Sequence, residues 1–192
     1  MSVTSASTIL APPAGLLVKN GSLVKDSSVS YSGTWALNTA TSVPANTATP
    51  LANAASQWTL VPALKNANAN ALLNSSGAFV APTDGDYTFN MTATTTSTVA
   101  DFEVWFIYTG AAVTYAPKLG WQKYNVQLYA PTLSTQSSIS LYKGDVITPY
   151  VYQQNSGNSA LTLSTASSAA GASGSTSTYG CIFSVRRDAI TN

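Results

Sequence analysis

The stretch spanning residues 77–89 decides the fold, and it reads Gly-Ala-Phe-Val-Ala-Pro-Thr-Asp-Gly-Asp-Tyr-Thr-Phe. Its first four residues, 77–80, predict a short strand. Residues 82–85 predict a turn, because proline presets one backbone dihedral and glycine accepts a positive φ without steric cost. Over residues 87–91 apolar and polar side chains alternate, which is the period of a half-buried strand. The stretch therefore predicts a hairpin of two strands.

Further short runs with strand-like patterns extend outward from this stretch, separated by Gly, Pro, Asn and Ser turns. They cover residues 28–37, 58–61, 100–108, 121–130, 138–142, 146–154 and 179–187. Pro149 predicts an edge strand or a bulge at its position, because proline cannot donate to a sheet ladder. No long amphipathic helix interrupts the pattern. The sequence predicts an all-β protein, a single jelly-roll β-sandwich of about eight to ten antiparallel strands, with Phe79, Tyr87, Phe89 and Phe183 in its core.

The composition points to a protein that meets other protein. Charged residues make up 8% of the 192 residues, where about 25% is usual in soluble domains. The net charge of +1 offers no basic field for nucleic acid or a membrane surface. The apolar run at residues 9–18 is broken by two prolines and is too short to span a bilayer. We therefore expect an assembly subunit with no direct nucleic-acid contact, no membrane span and no export through a signal peptide.

Catalytic and metal-binding residues are sparse. The chain has no histidine, which removes the commonest general base and metal ligand. Asp84 and Asp86 flank a turn glycine and are weak candidates for calcium, although turn formation explains both. Asp101 and Glu103 share a strand face, but nothing near them marks a glycosidase site. We expect no enzyme and no cofactor, and we expect the single Cys181 to be a buried, inert thiol.

The chain divides into residues 1–56, an N-terminal arm with a lead-in strand, and residues 57–192, the jelly-roll domain. Proline-interrupted and nearly uncharged, the arm is expected to dock on neighbouring protein and to tie copies together. Its densest apolar group supplies the predicted assembly anchors, which are Ile9, Leu10, Leu16, Leu17 and Val18.

Apolar side chains occupy both faces of the predicted strand at residues 100–108, so we expect its outer face to meet a neighbour. This makes Trp105 a further assembly anchor. We predict a ring of three or five copies. The candidate exposed aromatic residues would alternatively form a carbohydrate-stacking surface, although core or subunit contact is the more common use. They are Trp105, Tyr115, Trp121, Tyr124 and Tyr129.

Three motifs in order carry a family resemblance. Residues 77–89 resemble the signature of the globular head of the complement first component's q subunit, which has Gly-x-Phe, then Pro, then Gly-x-Tyr-x-Phe. Residues 140–146, Ser-Leu-Tyr-Lys-Gly-Asp-Val, resemble that family's glycine-aspartate turn. Residues 178–185, Thr-Tyr-Gly-Cys-Ile-Phe-Ser-Val, resemble its closing strand. The match spans residues 57–187 and implies the ten-stranded, often trimeric jelly roll that this family shares with the tumour necrosis factor superfamily.

The chain departs from the secreted members of that family. It has no collagen repeat and no cysteine pair, and its charge is low. Viruses and phages also use single jelly rolls, and their uncharged arms and Ser/Thr/Ala/Asn bias resemble this chain. We therefore expect a structural virion protein assembled inside the host cell, a vertex (penton) or minor capsid subunit that binds itself and other capsid proteins. The alternative is a trimeric recognition module, a fibre tip or complement-head-like domain that binds a receptor, glycan or calcium.

Overall fold

The computed structural model describes residues 16–19, 22–25, 31–61, 69–110, 117–125, 128–129, 131–155, 157–165 and 180–188. Within these ranges the chain forms sixteen β-strands and two 3-10 turns. The strands are β1 Leu16–Lys19, β2 Ser22–Lys25, β3 Ser32–Leu37, β4 Ser42–Val43, β5 Thr49–Pro50, β6 Trp58–Leu60, β7 Phe79–Val80, β8 Gly85–Thr94, β9 Thr98–Val99, β10 Asp101–Thr109, β11 Lys118–Tyr124, β12 Leu128–Tyr129, β13 Thr132–Leu141, β14 Val146–Gln154, β15 Leu161–Thr162 and β16 Ile182–Arg187.

Two five-stranded antiparallel sheets pack face to face, which confirms the predicted all-β jelly roll. The first has the order β11-β10-β14-β5, with β7 also pairing with β14, and is called the β14 sheet. The second has the order β13-β8-β16-β3-β6 and is called the β8 sheet. Small two-stranded pairs, β1–β2, β9–β12 and β4–β15, complete the described strands. The structure has more strands than the predicted eight to ten, because several strands consist of only two residues.

The stretch at residues 77–89 does not form the predicted hairpin. β7 pairs with β14, with Val80 opposite Val146, while β8 pairs with β13 and β16 in the other sheet. The turn between them therefore carries the chain from one sheet to the other. It is fastened by Tyr87, whose hydroxyl donates to the Thr83 carbonyl at 2.8 Å. The prediction of two strands and a turn is confirmed, but their mutual pairing was wrong.

The core between the sheets is built on aromatic rings. Phe89 lies at its centre, with ring centroids 5.3 Å from Phe79, 6.0 Å from Phe106 and 6.3 Å from Phe183. The four residues predicted as core, Phe79, Tyr87, Phe89 and Phe183, are all fully buried. Since these rings come from both sheets, their contacts fix how the sheets face each other.

Residues 31–61 contribute strands to both sheets. β3 and β6 lie in the β8 sheet and β5 lies in the β14 sheet. Trp35 and Leu37 are buried core residues. The lead-in strand predicted near residues 28–37 is therefore β3, an interior strand of the sandwich. The predicted division after residue 56 falls in the 3-10 turn Ala55–Gln57, between β5 and β6, and strands on both sides of it belong to the sheets.

The prediction that Pro149 marks an edge strand or a bulge was wrong. Pro149 lies in β14, which pairs with β10 along its whole length and with β5 and β7 on its other side. Its carbonyl accepts from the Leu51 N–H at 2.8 Å on the β5 side. In an antiparallel strand the N–H and C=O of one residue point the same way. The missing N–H therefore faces the gap between β5 and β7, and the ladder to β10 loses nothing.

At one edge of the sandwich the two sheets approach each other closely. Gly120 of β11 has φ +61 and accepts a hydrogen bond from the Thr135 hydroxyl of β13. A Cβ at residue 120 would lie 2.9 Å from the Gln136 carbonyl oxygen, so only glycine fits this crossing. None of the helical turns in the described residues has the length and apolarity that a membrane span requires.

Candidate functional site

The outer face of the β14 sheet holds Trp105, which the strand alternation correctly places there. Its ring stacks on Tyr150 with centroids 6.0 Å apart, and Lys118 Nζ lies 4.0 Å from the ring centroid. The side chain is only 1% exposed. This burial corrects the prediction that Trp105 is an assembly anchor. Because its own chain covers the side chain, Trp105 supports a contact with another copy only through the residues above it. Its Nε1 has no hydrogen-bond partner among the described residues.

A polar cluster with one exposed aromatic ring lies beside Trp105. Trp121 is 51% exposed, and its indole N–H donates to Glu103 Oε2 at 2.9 Å. Lys123 Nζ bridges Glu103 Oε1 at 3.3 Å and Asp101 Oδ2 at 3.5 Å. We call these residues, together with Lys118, the Trp121 cluster. Asp101 and Glu103 do share a face, as predicted, and here they hold a lysine and an indole in place.

The positive and negative charges within the Trp121 cluster balance each other. Partial desolvation lowers the pKa of Lys123, but hydrogen bonding to Glu103 and the charge of Asp101 raise it more, and the resulting pKa lies above the usual value. The ammonium therefore stays charged at neutral pH. Two carboxylates face two ammonium groups across the cluster, which leaves it with no excess of either sign.

Hydroxyl and amide side chains cover the outer face of the β8 sheet. Across β8 and β13, hydroxyls pair at 2.8 Å between Thr88 and Ser138, 2.9 Å between Thr92 and Ser134, and 2.8 Å between Thr94 and Thr132. This alternation explains why β13 starts at Thr132, well before the predicted residue 138. Serine and threonine lie on both faces of the first half of β13, so its sequence shows no apolar alternation. This half forms a strand because it pairs with β8.

The centre of this face carries no charge. Asn90 of β8 lies opposite Gln136 of β13 and Ser184 of β16, and Ile182 adds the main apolar side chain. Charged groups of the described strands enter only at one end, with Asp86 and Arg186. We call the uncharged part, Asn90, Thr92, Ser134, Gln136, Ile182 and Ser184, the hydroxyl face.

The carboxylates predicted as calcium candidates lie at one end of the sandwich, and both accept hydrogen bonds from other groups of the protein. Asp84 Oδ1 accepts the Lys143 N–H at 2.7 Å, and Asp86 accepts the Ser140 hydroxyl. The nearby Asp188 accepts the Thr88 hydroxyl at 2.6 Å and forms an ion pair with Arg186 at 3.0 Å. Among the described residues no three His, Cys, Asp or Glu side chains are grouped so that they could hold a metal ion.

Asp145 closes the turn after β13, where a glycine-aspartate turn was predicted. The turn glycine, Gly144, has φ +92, and the Asp145 N–H donates to the Tyr142 carbonyl at 3.0 Å. The carboxylate is buried and accepts from the Tyr108 hydroxyl at 2.8 Å and the Tyr142 N–H at 2.9 Å. Burial and this carboxylate raise the pKa of the Tyr108 phenol. Asp145 thus has a structural role.

Replacing Asp145 by alanine is expected to lower the free energy of unfolding by about 1–3 kcal/mol, because the buried Tyr108 hydroxyl and the partly buried Tyr142 N–H lose their acceptor. Asp145→Asn retains one carbonyl oxygen and should recover part of the loss. Urea denaturation of both variants measures the difference. Equal losses below about 0.5 kcal/mol, the range typical of surface changes, would show that these hydrogen bonds do not stabilise the fold.

The remaining predicted site residues fall partly outside the described residues. Ile9, Leu10 and Tyr115 lie there. Leu16, Leu17 and Val18 belong to β1, where Leu17 is opposite Val24 of β2. Their role as anchors of a tie between copies stays a prediction. Tyr124 is half-buried and packs against the core.

Comparison with known proteins supports the fold. No protein-family model and no curated protein sequence matches the chain. Among solved structures, it is similar to Eiger TNF from S. frugiperda, with TM-score 0.55 and 12% identity over 85% of this chain and 95% of that one. It is also similar to murine APRIL, with TM-score 0.56 and 13% identity over 83% of this chain and 99% of that one. The globular domain of zebrafish complement 1qA aligns with TM-score 0.49 and 13% identity over 80% and 94%.

The chain thus shares the jelly-roll fold of these two solved structures. At 12–13% identity the two structures with TM-scores above 0.5 establish the fold and leave the ligand and biological setting to be argued from this chain's own surface. The viral version of the fold remains a prediction.

Proposed function

We propose that this protein is a non-catalytic recognition module that self-associates through the hydroxyl face, as three copies. The observation that carries the proposal is the absence of charge over the centre of that face, in a chain with 8% charged residues. Three is the number that the family resemblance favours.

The hydroxyl face suits contact with another copy for two physical reasons. Within it the Thr92 and Ser134 hydroxyls already pair with each other at 2.9 Å, so covering these two leaves neither without a partner. Without charges on its centre, like copies do not repel each other when they meet. Ile182 supplies apolar area at the centre, where interfaces are least polar.

The test introduces one charge per copy into the hydroxyl face. Asn90 is exposed in the middle of β8, so Asn90→Arg should leave the fold intact. It should weaken self-association by roughly 100-fold, because juxtaposed like charges cost several kcal/mol. Sedimentation velocity measures the species present. Thr47→Arg, at an exposed loop position before β5, adds the same charge as the matched control and should associate like the unmodified chain.

If both variants keep the mass of the unmodified oligomer, the hydroxyl face is not the interface. If both dissociate, added charge acts through the whole surface rather than through this face. Circular dichroism of the variants verifies that each retains its β-structure.

A second candidate function is a capsid shell subunit at a vertex or minor position in a virion. The low charge and the Ser/Thr/Ala/Asn-rich composition favour it. Such a subunit should form rings of five or larger shells, whereas a recognition module should stop at three. Electron microscopy of the purified protein and of particles that contain it distinguishes these outcomes.

A further inference from the structure

Trp121 is an unusual surface residue in this molecule. Among the described residues the exposed large hydrophobic side chains are Trp121 and Tyr142, at 51% and 64%. Trp121 lies on a strand, and its N–H is held by Glu103 at 2.9 Å. Glu103 is in turn held by Lys123 at 3.3 Å. The indole ring is therefore presented to solvent in one orientation instead of being free to fold down onto the surface.

We propose that the Trp121 cluster binds a neutral glycan, with the exposed indole face as the stacking surface for one sugar ring. This deepens the proposed function, since it assigns a ligand class to the recognition module. A pyranose presents C–H groups on one face and hydroxyls around its rim. The indole ring packs against the C–H face of the sugar. The carboxylates and ammonium groups beside the ring can bond to the sugar hydroxyls.

The charges of the cluster point to a neutral ligand. Asp101 and Glu103 oppose Lys118 and Lys123, and the two carboxylates already interact with Lys123. A sialylated or sulfated glycan would meet two carboxylates, and a cationic peptide would meet two ammonium groups. Hydroxyl groups bond to either type of group, so a neutral sugar uses the whole cluster.

Among the described residues, the surface around Trp121 exposes too little apolar area for a stable protein partner. Trp105 is 1% exposed beneath Lys118, whose Nζ lies 4.0 Å from the ring centroid. This leaves Trp121 as the one exposed large apolar ring of the cluster, whereas protein interfaces need a buried apolar centre.

The two sheets of the sandwich have outer faces that point away from each other. If copies associate through the hydroxyl face of the β8 sheet, every Trp121 cluster on the β14 sheet stays open to solvent. A single ring makes few contacts, and we expect a dissociation constant on the order of a millimolar for one sugar site. Three sites on one oligomer would then bind a surface bearing many glycans far more tightly.

The test is a titration of the full chain with lactose, maltotriose and diacetylchitobiose as neutral probes, and with sialyllactose as an anionic one. NMR follows the indole N–H signals and, so that the Trp121 variants can be compared, the backbone amide signals of β10 and β11. We expect a saturable shift of the Trp121 signal with at least one neutral probe. Trp121→Ala should weaken binding at least about tenfold, and Trp121→Phe should retain part of it. Tyr142→Ala is the matched control, because it removes the other exposed ring, and it should bind like the unmodified chain.

Three results would overturn the glycan assignment: no saturable shift with any neutral probe, unchanged binding by Trp121→Ala, or a preference for sialyllactose. Asn90→Arg separates this proposal from the proposed self-association. A monomer that keeps the same affinity per site supports the glycan site even if the oligomer is not what we propose. An intact oligomer that binds no neutral probe refutes the glycan site alone.

Discussion

Replacing Phe89 by alanine is expected to lower the free energy of unfolding by about 3–5 kcal/mol. The ring is fully buried and lies within about 6 Å, centroid to centroid, of Phe79, Phe106 and Phe183. These neighbours come from both sheets, so they cannot close over the cavity without moving the sheets together. Urea denaturation followed by tryptophan fluorescence gives the change.

Asp86→Ala is the matched control for Phe89→Ala. Asp86 is three residues away on β8, is exposed on the opposite face, and accepts one hydrogen bond from Ser140. Its removal should cost less than about 1 kcal/mol. Equal, small losses for the two variants would show that the register of β8 is wrong, because a one-residue slip exchanges its two faces.

Alkaline pH is expected to destabilise the protein through Cys181. Burial raises the pKa of this thiol from 9.0 to about 12, although hydrogen bonding with the Thr94 backbone opposes the shift. The unfolded chain therefore releases the thiol proton at lower pH than the folded chain does. The contribution of Cys181 to stability is complete below pH 9 and is lost as the pH rises towards 12. The slope approaches about 1.4 kcal/mol per pH unit in that window.

Cys181→Ala isolates the thiol from other groups that titrate in the same range. The pKa values of Tyr87 and Tyr108 are also raised, chiefly by burial, and both tyrosines remain in the variant. Urea denaturation from pH 8 to pH 11 should show a steeper loss of stability in the unmodified chain than in Cys181→Ala. Parallel curves, or rapid maleimide labelling of the folded chain at pH 8, would contradict a buried, protonated thiol.

The parts of the fold that the sequence predicts well are those with one apolar face. Strand β14 was predicted with the bounds that the structure has, Val146–Gln154, because alternating residues face the core. The first half of β13 was missed because both of its faces are rich in serine and threonine, and only pairing with β8 gives it order. The pairing of β7 was also missed, since turn chemistry at residues 82–85 does not reveal whether the chain stays in one sheet or crosses to the other.

The candidate site was less predictable than the fold. Alternation placed Trp105 on the outer face correctly, but its coverage by Tyr150 and Lys118 depends on strands that are far away in sequence. Trp121 was one of five aromatic candidates. Its hydrogen bond to Glu103 arises from the pairing of β11 with β10, whose register shifts between Val104 and Phe106. Such a register shift cannot be predicted from the local sequence of either strand.

The mass of the unmodified chain in solution shows directly whether copies associate through the uncharged face. Multi-angle light scattering at micromolar concentration should give about three times the chain mass of 19.9 kDa. The value should change little between low and high salt, because screening acts on charges and the hydroxyl face has none at its centre. A monodisperse species of 19.9 kDa, or an oligomer that dissociates as salt is raised, would contradict self-association through the hydroxyl face.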